Sequence, residues 1–221
     1  MKLPHLIFDM DGTIIDSMPV HRQSWAMFAA RHGLVEQADE LERATSGRTG
    51  VEGMRALFGS ELPLAMAQAY VHEKESLYGE QFGAAFRWVG GFERFALQAR
   101  AQGLRCGLGT AGDRHNIRFC LERLPAPMRD DLFEVCVGGD EGLPGKPDPA
   151  IFIEVARRMG VAAADCLVFE DSPAGIAAAV RAGMRAVALL TSHEADELAG
   201  EHVIAAVRDY DELLASPFCP F

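Results

Sequence analysis

The sequence predicts an α/β fold in which a parallel sheet carries helices on both faces and an all-helical segment is inserted near the start. Short apolar runs bounded by Gly, Pro or Asp are typical of buried strands. These runs are Leu6-Ile7-Phe8, Cys106-Gly107-Leu108, Val135-Cys136-Val137 and Cys166-Leu167-Val168-Phe169. Helical spacing between several of them gives the alternation that indicates a parallel sheet. Ligands of such sheets bind beyond the carboxyl ends of the strands, so we expect the residues that follow each run to meet there.

Helical patterns dominate between the first strand and about Gly83. The spacing i, i+3, i+4, i+7 and a glycine at the C-cap position predict a helix from about Pro19 to His32. A second long helix is predicted to begin near Pro63, and its fraying end is expected at Gly79 and Gly83. One side of that helix is expected to consist of Met66, Tyr70, Leu77 and Tyr78.

The alternation of strands and helices resumes at Trp88 and continues to the C-terminus. We therefore predict two domains. A discontinuous α/β core would comprise residues 1–15 and 87–221, and a helical cap would comprise residues 16–86.

Composition and charge restrict the function. The 221 residues are 49% hydrophobic and 24% charged, as in an ordinary globular protein, and the formal net charge is −11. Binding of DNA or RNA depends on clustered Lys and Arg, so this charge disfavours a nucleic-acid partner. A small anionic substrate needs only local positive charge.

Cysteine usage and hydropathy favour a cytoplasmic protein. Five cysteines include no C-x-x-C pair, and three of them lie in predicted strands, which is typical of reduced core residues. The first residues have no signal-peptide apolar region, and no stretch approaches the ~20 apolar residues of a membrane span. We expect a monomer that has no contact with membranes.

The motif Asp9-Met10-Asp11-Gly12-Thr13 directly follows the first strand. Residues two apart in extended chain point to the same side, so both carboxylates can face one ligand. One carboxylate can attack phosphorus to form an aspartyl phosphate while the other supplies a proton to the leaving group. An acidic turn at a strand end is the alternative, and the longer motif in its strand context disfavours it.

Glu170 and Asp171 follow the fourth predicted strand and precede a helix that begins at Pro173. Carboxylates beside Asp9 would repel one another unless a divalent cation lay among them, and Mg²⁺ suits oxygen ligands that also hold a phosphate. Taken alone, the pair is better explained as an N-cap cluster favoured by the helix dipole.

Lys146 and Thr110 are candidates for binding phosphate oxygens. Lys146 lies between Gly145 and Pro147, and can offset negative charge between a nucleophile and a phosphoryl group. Thr110 offers a hydroxyl near a helix start. A surface lysine and a helix cap would explain each one in isolation. Their order and their positions after strands favour the functional interpretation.

The four motifs in this order resemble those of the haloacid dehalogenase superfamily, in the subgroup similar to beta-phosphoglucomutase and sugar-phosphate phosphatases. The resemblance covers essentially the whole chain and implies a Rossmann-like core with a helical cap inserted after the first motif. It also implies Mg²⁺ as cofactor. The roles that it implies are Asp9 as nucleophile, Asp11 as general acid and base, Thr110 and Lys146 as phosphate ligands, and Asp9, the Asp11 backbone carbonyl and Asp171 as metal ligands supported by Glu170.

The resemblance further places substrate contacts in the cap and in the loop after Thr110. His21, Arg48 and Lys74 are expected near the substrate opening, and Ala111 and Arg114 in that loop. Arg48 lies on a glycine-flanked loop from which a guanidinium can bind phosphate. The alternatives are a surface histidine for His21 and a solvated helix face for Lys74.

Other functions fit the motifs less well. Dehalogenation uses neither Asp11 nor a metal, phosphonate cleavage lacks an acid at Asp11, and signalling receiver modules are about half this length and have no cap. A non-catalytic binding module would not need the complete set.

The remaining choice is between a phosphatase and a phosphomutase. Asp113 would repel the second phosphate that a mutase anchors, although Arg114 can partly compensate, and Thr13 is more typical of phosphatases. We therefore predict a magnesium-dependent phosphatase of small phosphorylated metabolites such as sugar phosphates. A phosphomutase similar to beta-phosphoglucomutase is the alternative.

Overall fold

The computed structural model describes residues 3–34, 38–45, 47–129 and 131–221; residues 1 and 2 of the predicted core domain lie outside this part. Six strands and ten α-helices form within it. The strands are β1 (His5–Phe8), β2 (Cys106–Gly109), β3 (Val135–Val137), β4 (Cys166–Glu170), β5 (Arg185–Leu189) and β6 (Val203–Val207). The helices are α1 (Met18–His32), α2 (Ala38–Thr45), α3 (Gly50–Phe58), α4 (Leu64–Ala85), α5 (Phe92–Ala101), α6 (Arg114–Leu121), α7 (Ala126–Arg129), α8 (Ala150–Met159), α9 (Pro173–Arg181) and α10 (Tyr210–Ala215).

The six strands form one parallel sheet in the order β3-β2-β1-β4-β5-β6. This order is that of a doubly wound, Rossmann-like sheet, so the predicted fold class is confirmed. β1 lies between β2 and β4, with Phe8 opposite Leu108 on one side and Phe169 on the other. The chain therefore reverses its winding direction at β1, and the crevice at that point is where ligands of such sheets bind.

Alternating residues of β1 serve two hydrophobic cores, one on each face of the sheet. Leu6 and Phe8 join residues of α5, α6 and α10, whereas Ile7 joins residues of α8 and α9. Successive side chains of a strand point to opposite faces of the sheet, so neighbouring residues of β1 enter different cores. The helices on both faces thereby fix the strand ends from which the candidate catalytic residues project.

Helices α1–α4, which we call the helical unit, follow β1 and have a core of their own. Its buried residues include Trp25, Phe28, Met54 and Leu77. Other side chains of the unit, Val20, Tyr78 and Phe82, belong instead to the core of the sheet. The division into two domains at residues 16 and 86 stays a prediction.

The two predicted helices of this region are present, with differences in the second. α1 ends at Gly33 in left-handed conformation, as predicted. α4 begins after Pro63 but continues through Gly79 and Gly83 to Ala85, so the predicted fraying there is wrong. Met66 is half-exposed and Ala67 is buried in its place, because the buried side of α4 begins one residue later than the apolar pattern indicates.

The five cysteines are free thiols, and Cys106, Cys120 and Cys166 are buried. Among the described residues, no helix has both the length and the apolar character needed to span a membrane. The predicted cytoplasmic location and monomeric state are untested and stay predictions.

Candidate active site

Three strand ends at the centre of the sheet bring the predicted catalytic residues together. Asp9 directly follows β1, Thr110 directly follows β2, and Glu170 is the last residue of β4. The backbone N–H of Asp9 donates to the Phe169 carbonyl oxygen at 3.0 Å, which ties the first motif to β4. All three residues are buried, at 6% exposure or less. The expected convergence at the carboxyl edge is thus present.

Asp9 is paired with the buried lysine of the third motif. Lys146 Nζ donates to Asp9 Oδ1 at 2.5 Å. Burial raises the pKa of Asp9 to about 8, since it outweighs the opposing effect of the Lys146 charge, and the nearby Glu170 carboxylate adds to the rise. A buried carboxylate of this kind holds its charge only when compensating positive charge is close. The surface-lysine alternative for Lys146 is wrong, because this residue is 4% exposed.

Glu170 holds Lys146 from the other side. Lys146 Nζ donates to Glu170 Oε1 at 2.6 Å, while Oε2 accepts from Asp171 N, Ser172 N and Ser172 Oγ, each at 2.9 Å. Burial acts to lower the pKa of Lys146, but the charges of Asp9 and Glu170 outweigh it and the pKa rises. The Glu170 carboxylate is therefore fully engaged in orienting the lysine and the loop after β4.

Two glycines allow the close approach that this arrangement needs. A Cβ on Gly175 would lie 1.8 Å from the Glu170 carboxylate. A Cβ on Gly12 would lie 2.1 Å from Asp171 Oδ2, and Gly12 also has a φ of +71° that disfavours other residues. Both motifs consequently require glycine at these positions for steric reasons.

Asp171 contacts the first motif and a segment after β5. Its Oδ1 accepts from Thr13 Oγ1 at 3.5 Å, and its Oδ2 accepts from Ser192 Oγ at 2.5 Å. Thr191 Oγ1 donates to the Gly12 carbonyl oxygen at 2.5 Å, so the same segment supports both motifs. Burial raises the pKa of Asp171 well above its usual range, and the charges of Glu170 and Asp9 add to this. The sequence reasoning missed Thr191 and Ser192, although they are polar residues just after a buried strand.

The carboxylate of Asp11 points toward the helical unit. It accepts from Ser17 Oγ at 2.7 Å, His21 Nε2 at 3.1 Å and Tyr78 Oη at 3.4 Å. Burial acts to raise the pKa of Asp11, but the hydrogen bonds from His21 and Ser17, together with the nearby positive charge of Lys74, outweigh it, and the pKa is lowered. Asp11 thus stands apart from the Lys146 pair, with groups around it that hydrogen-bond its charged form.

A chain of hydrogen bonds leads from Asp11 into the helical unit. Lys74 Nζ donates to His21 Nδ1 at 2.8 Å, and because an ammonium group only donates, His21 Nε2 carries the proton that binds Asp11. Lys74 also donates to Glu75 Oε1 at 3.0 Å, while Glu75 Oε2 accepts from Asn116 Nδ2 of α6 at 2.9 Å. The alternatives of a surface histidine and a solvated lysine are wrong, since both side chains are largely buried at the crevice.

The two arginines expected at the substrate have partners elsewhere in this arrangement. Arg48 is exposed and donates to the Ala44 carbonyl oxygen at 3.0 Å. Arg114 is exposed and donates to Asp140 at 2.5 Å. Their predicted substrate contacts therefore need both side chains to change partner, and they stay predictions.

The loop after Thr110 is shaped by local capping. Thr110 Oγ1 accepts from Gly112 N at 3.0 Å, and Asp113 Oδ1 accepts from Asn116 N at 2.9 Å as the N-cap of α6. Ala111 lines a small cleft beside Lys146, together with Gly47 and Thr49. This places Ala111, unlike Arg114, next to the candidate phosphate site.

The residues around Asp9 fit a magnesium ion. Within the described part of the chain, no three side chains of His, Cys, Asp or Glu stand close enough to hold a metal by themselves. Mg²⁺ is commonly bound by one or two carboxylates, waters and substrate phosphate, which matches Asp9, Asp171 and the Asp11 backbone carbonyl. Glu170 is occupied by Lys146 and three N–H or O–H donors, which suits it to position these residues, and its predicted part in the metal site stays a prediction.

A Rossmann-like sheet with a buried lysine and carboxylates at its carboxyl edge is an α/β protein with charged groups where ligands of such sheets bind. The model of the haloacid dehalogenase-like hydrolase family matches residues 3–183. The chain belongs to this family, as the resemblance implied.

Relatives and solved structures agree with this assignment. The chain is 34% identical over 200 residues to protein CbbY of Rhodobacter capsulatus, covering 85% of each. It is 33% identical to validoxylamine A 7'-phosphate phosphatase of Streptomyces hygroscopicus subsp. limoneus, over 90% of this chain and 91% of that protein. A hydrolase structure from Pseudomonas syringae superposes with a TM-score of 0.85 at 22% identity and 97% coverage of both chains. The prediction that the protein is a phosphoric monoester hydrolase is confirmed.

Proposed function

We propose that the protein is a magnesium-dependent phosphatase of small phosphorylated metabolites, sugar phosphates among them, and that it acts through an aspartyl phosphate on Asp9. The observation that supports this most is that the two aspartates have different hydrogen-bond partners. Asp9 is paired with Lys146, whereas Asp11, two residues later, is bound to donors of the helical unit. Such a division suits one carboxylate to attack and the other to transfer protons.

In the first step, an Asp9 oxygen attacks phosphorus and the bond from phosphorus to the leaving oxygen breaks. Lys146 lies beside the attacking carboxylate and offsets the charge of the transferred group. The leaving oxygen takes a proton from Asp11. The hydrogen-bonded chain from Lys74 through His21 gives a route by which a proton can reach Asp11.

In the second step, water attacks phosphorus, the bond from phosphorus to Asp9 breaks, and inorganic phosphate is formed. Asp11 accepts a proton from that water, and its lowered pKa favours the carboxylate form that a base needs. When bound by Asp9, Asp171 and the Asp11 carbonyl, Mg²⁺ would offset the negative charge of carboxylates and phosphate. Ser192 and Thr13 orient Asp171 for that role.

The leaving-group side of the crevice offers donors and acceptors suited to hydroxyl groups. Lys74, Glu75 and Asn116 form one hydrogen-bonded set there. The Glu75 carboxylate in this set disfavours binding of a second phosphate group. Arg48 and Arg114, the cations that could bind one, have other partners at the surface. These features support hydrolysis of a monophosphate over transfer within a bisphosphate, and the phosphatase name of one relative agrees with this.

A panel of phosphorylated metabolites tests the proposal. With Mg²⁺, the purified protein should release inorganic phosphate from sugar monophosphates with no bisphosphate activator, and EDTA should abolish the release. Conversion of a hexose 1-phosphate to a positional isomer faster than phosphate release, and dependent on a bisphosphate, would establish the mutase alternative instead.

A further inference from the structure

The helical unit closes the site in this structure. Asp9, Lys146 and Asp171 are each 6% exposed or less. A phosphorylated substrate cannot reach Asp9 through such a covering, so contacts between the helical unit and the sheet edge must break and re-form during each turnover. The polar contacts across this boundary are therefore candidates for controlling closure.

One of these contacts lies outside the residues discussed so far. Glu52 is on α3, and its Oε1 accepts from the backbone N–H of Gly145 at 3.2 Å, across 93 residues of sequence. Gly145 directly precedes Lys146, the residue that pairs with Asp9. The contact thus joins the helical unit to the loop that carries the catalytic lysine.

The other oxygen of Glu52 is held by its own helix. Glu52 Oε2 accepts from Thr49 N at 2.9 Å and from Thr49 Oγ1 at 2.8 Å, which is a capping box at the start of α3. These two bonds fix the carboxylate on the helical unit whether or not the unit is closed. The oxygen that faces Gly145 is consequently presented in a fixed direction.

The backbones at this contact approach unusually closely. A Cβ on Gly145 would lie 2.3 Å from Glu52 Oε2 and 3.0 Å from the Arg48 Cα atom. On the other side, a Cβ on Gly47 would lie 3.2 Å from the Lys146 Cβ atom. Glycine on both surfaces allows the loop before α3 to seat directly on the Lys146 loop.

We propose that Glu52 is a positioning residue that seats the helical unit on the Lys146 loop and so favours the closed, catalytically competent arrangement. The inference rests on the proposed function and adds to it a residue that controls closure. Glu52 touches neither Asp9 nor Lys146 through its side chain, and it acts through the N–H of Gly145. Burial acts to raise the pKa of Glu52, but hydrogen bonds from Thr49 and Gly145 outweigh it, so the carboxylate is charged at neutral pH.

The substitution Glu52→Gln separates the two roles of this side chain. Glutamine is accepted in capping boxes, so α3 keeps its cap. Thr49 and Gly145 donate to different oxygens of the Glu52 carboxylate, and glutamine has an NH2 group in place of one of these oxygens, so it cannot accept at both positions. Glu61→Gln is the matched control, because Glu61 lies between α3 and α4, is exposed, and contacts the neighbouring Ser60.

Kinetics on a sugar monophosphate give the first test. Substrate enters while the unit is open and is then held by closure over it, so weaker seating makes closure over bound substrate less favourable, and KM should rise about fivefold to tenfold with kcat changed less than about twofold. A variant that was merely less folded would lose kcat at unchanged KM. Unchanged KM in Glu52→Gln relative to Glu61→Gln would overturn the proposal.

Amide hydrogen exchange tests closure without any substrate. In Glu52→Gln, exchange of the loop at residues 143–148 should be about fivefold to tenfold faster than in Glu61→Gln. Gly145→Ala approaches the same contact from the sheet side and should give the same direction of change, since Gly145 is outside the left-handed region and alanine adds only the overlapping Cβ. Exchange equal to the control in both variants would refute the seating role.

If no phosphatase activity is found with any substrate, the proposed function fails, and the exchange result still decides whether Glu52 holds the unit closed.

Discussion

The substitution Asp9→Asn should stabilise the metal-free protein at neutral pH while removing the nucleophile. In the folded protein burial raises the pKa of Asp9 to about 8, from 3.8 for an exposed carboxyl. Between these two pH values the folded state binds more protons than the unfolded state, so stability is fully present at low pH and falls as the pH rises. Asparagine has the same shape and no charge to bury.

The size of the effect follows from the same shift. One carboxyl with such a pKa costs up to about 1.4 kcal/mol of unfolding free energy for each pH unit between pH 4 and 8. Loss of the bond from Lys146 offsets part of this in the variant, although Lys146 keeps Glu170 as a partner. We therefore expect Asp9→Asn to be more stable by about 3 kcal/mol at pH 7.5 in EDTA, which is about 6–12 °C in Tm for a chain of this size.

Thermal melting in EDTA between pH 5 and pH 8 measures this directly. The Tm of the wild type should fall over that range relative to the Tm of Asp9→Asn, and Mg²⁺ should raise the wild-type Tm more at pH 8 than at pH 5, because metal binding needs the ionised carboxylates. Asp16→Asn, at a partly exposed carboxyl that pairs with Arg87, is a control. A Tm of Asp9→Asn at pH 8 equal to or below that of the wild type in EDTA would refute the reasoning.

Three further substitutions test individual buried polar groups. Glu170→Ala should lower the unfolding free energy by about 3–5 kcal/mol, measured by urea denaturation, because it removes a buried partner of Lys146; a loss under 1 kcal/mol would contradict the pairing. Ser192→Ala should weaken magnesium activation about tenfold or more, since it frees Asp171 to rotate; an unchanged magnesium titration would remove Ser192 from the account. Tyr210→Phe should leave stability unchanged or raise it, because the buried Tyr210 hydroxyl has no hydrogen-bond partner among the described residues; a marked drop in Tm would show that the hydroxyl is bound.

The sequence predicts the strand ends well because strand burial and register depend on local apolar runs. Phe8, Leu108 and Phe169 end apolar runs and lie opposite one another in neighbouring strands. Residues after them then meet, whatever their separation along the chain. The same rule applies to Ser192, a polar residue that lies three residues after the carboxyl end of β5.

Side-chain direction on exposed loops is harder to predict. The sequence identifies Arg48 and Arg114 as cations near the opening, but each long side chain can choose between substrate and a nearby acceptor. In this structure Arg48 binds a carbonyl oxygen one helical turn away and Arg114 binds Asp140. Glu52 was missed for a related reason, since its local capping pattern gives no sign of the distant Gly145 N–H.

Detection of a phosphoryl group on Asp9 tests the central claim most directly. Wild-type protein would be mixed with a sugar monophosphate and Mg²⁺, quenched in acid within the first turnover, and digested for mass spectrometry. The peptide containing Asp9 should gain the mass of one phosphoryl group, EDTA should prevent this gain, and the same peptide of Asp9→Asn should not show it. Phosphate release by the wild type without any labelled intermediate, or undiminished turnover by Asp9→Asn, would contradict the account.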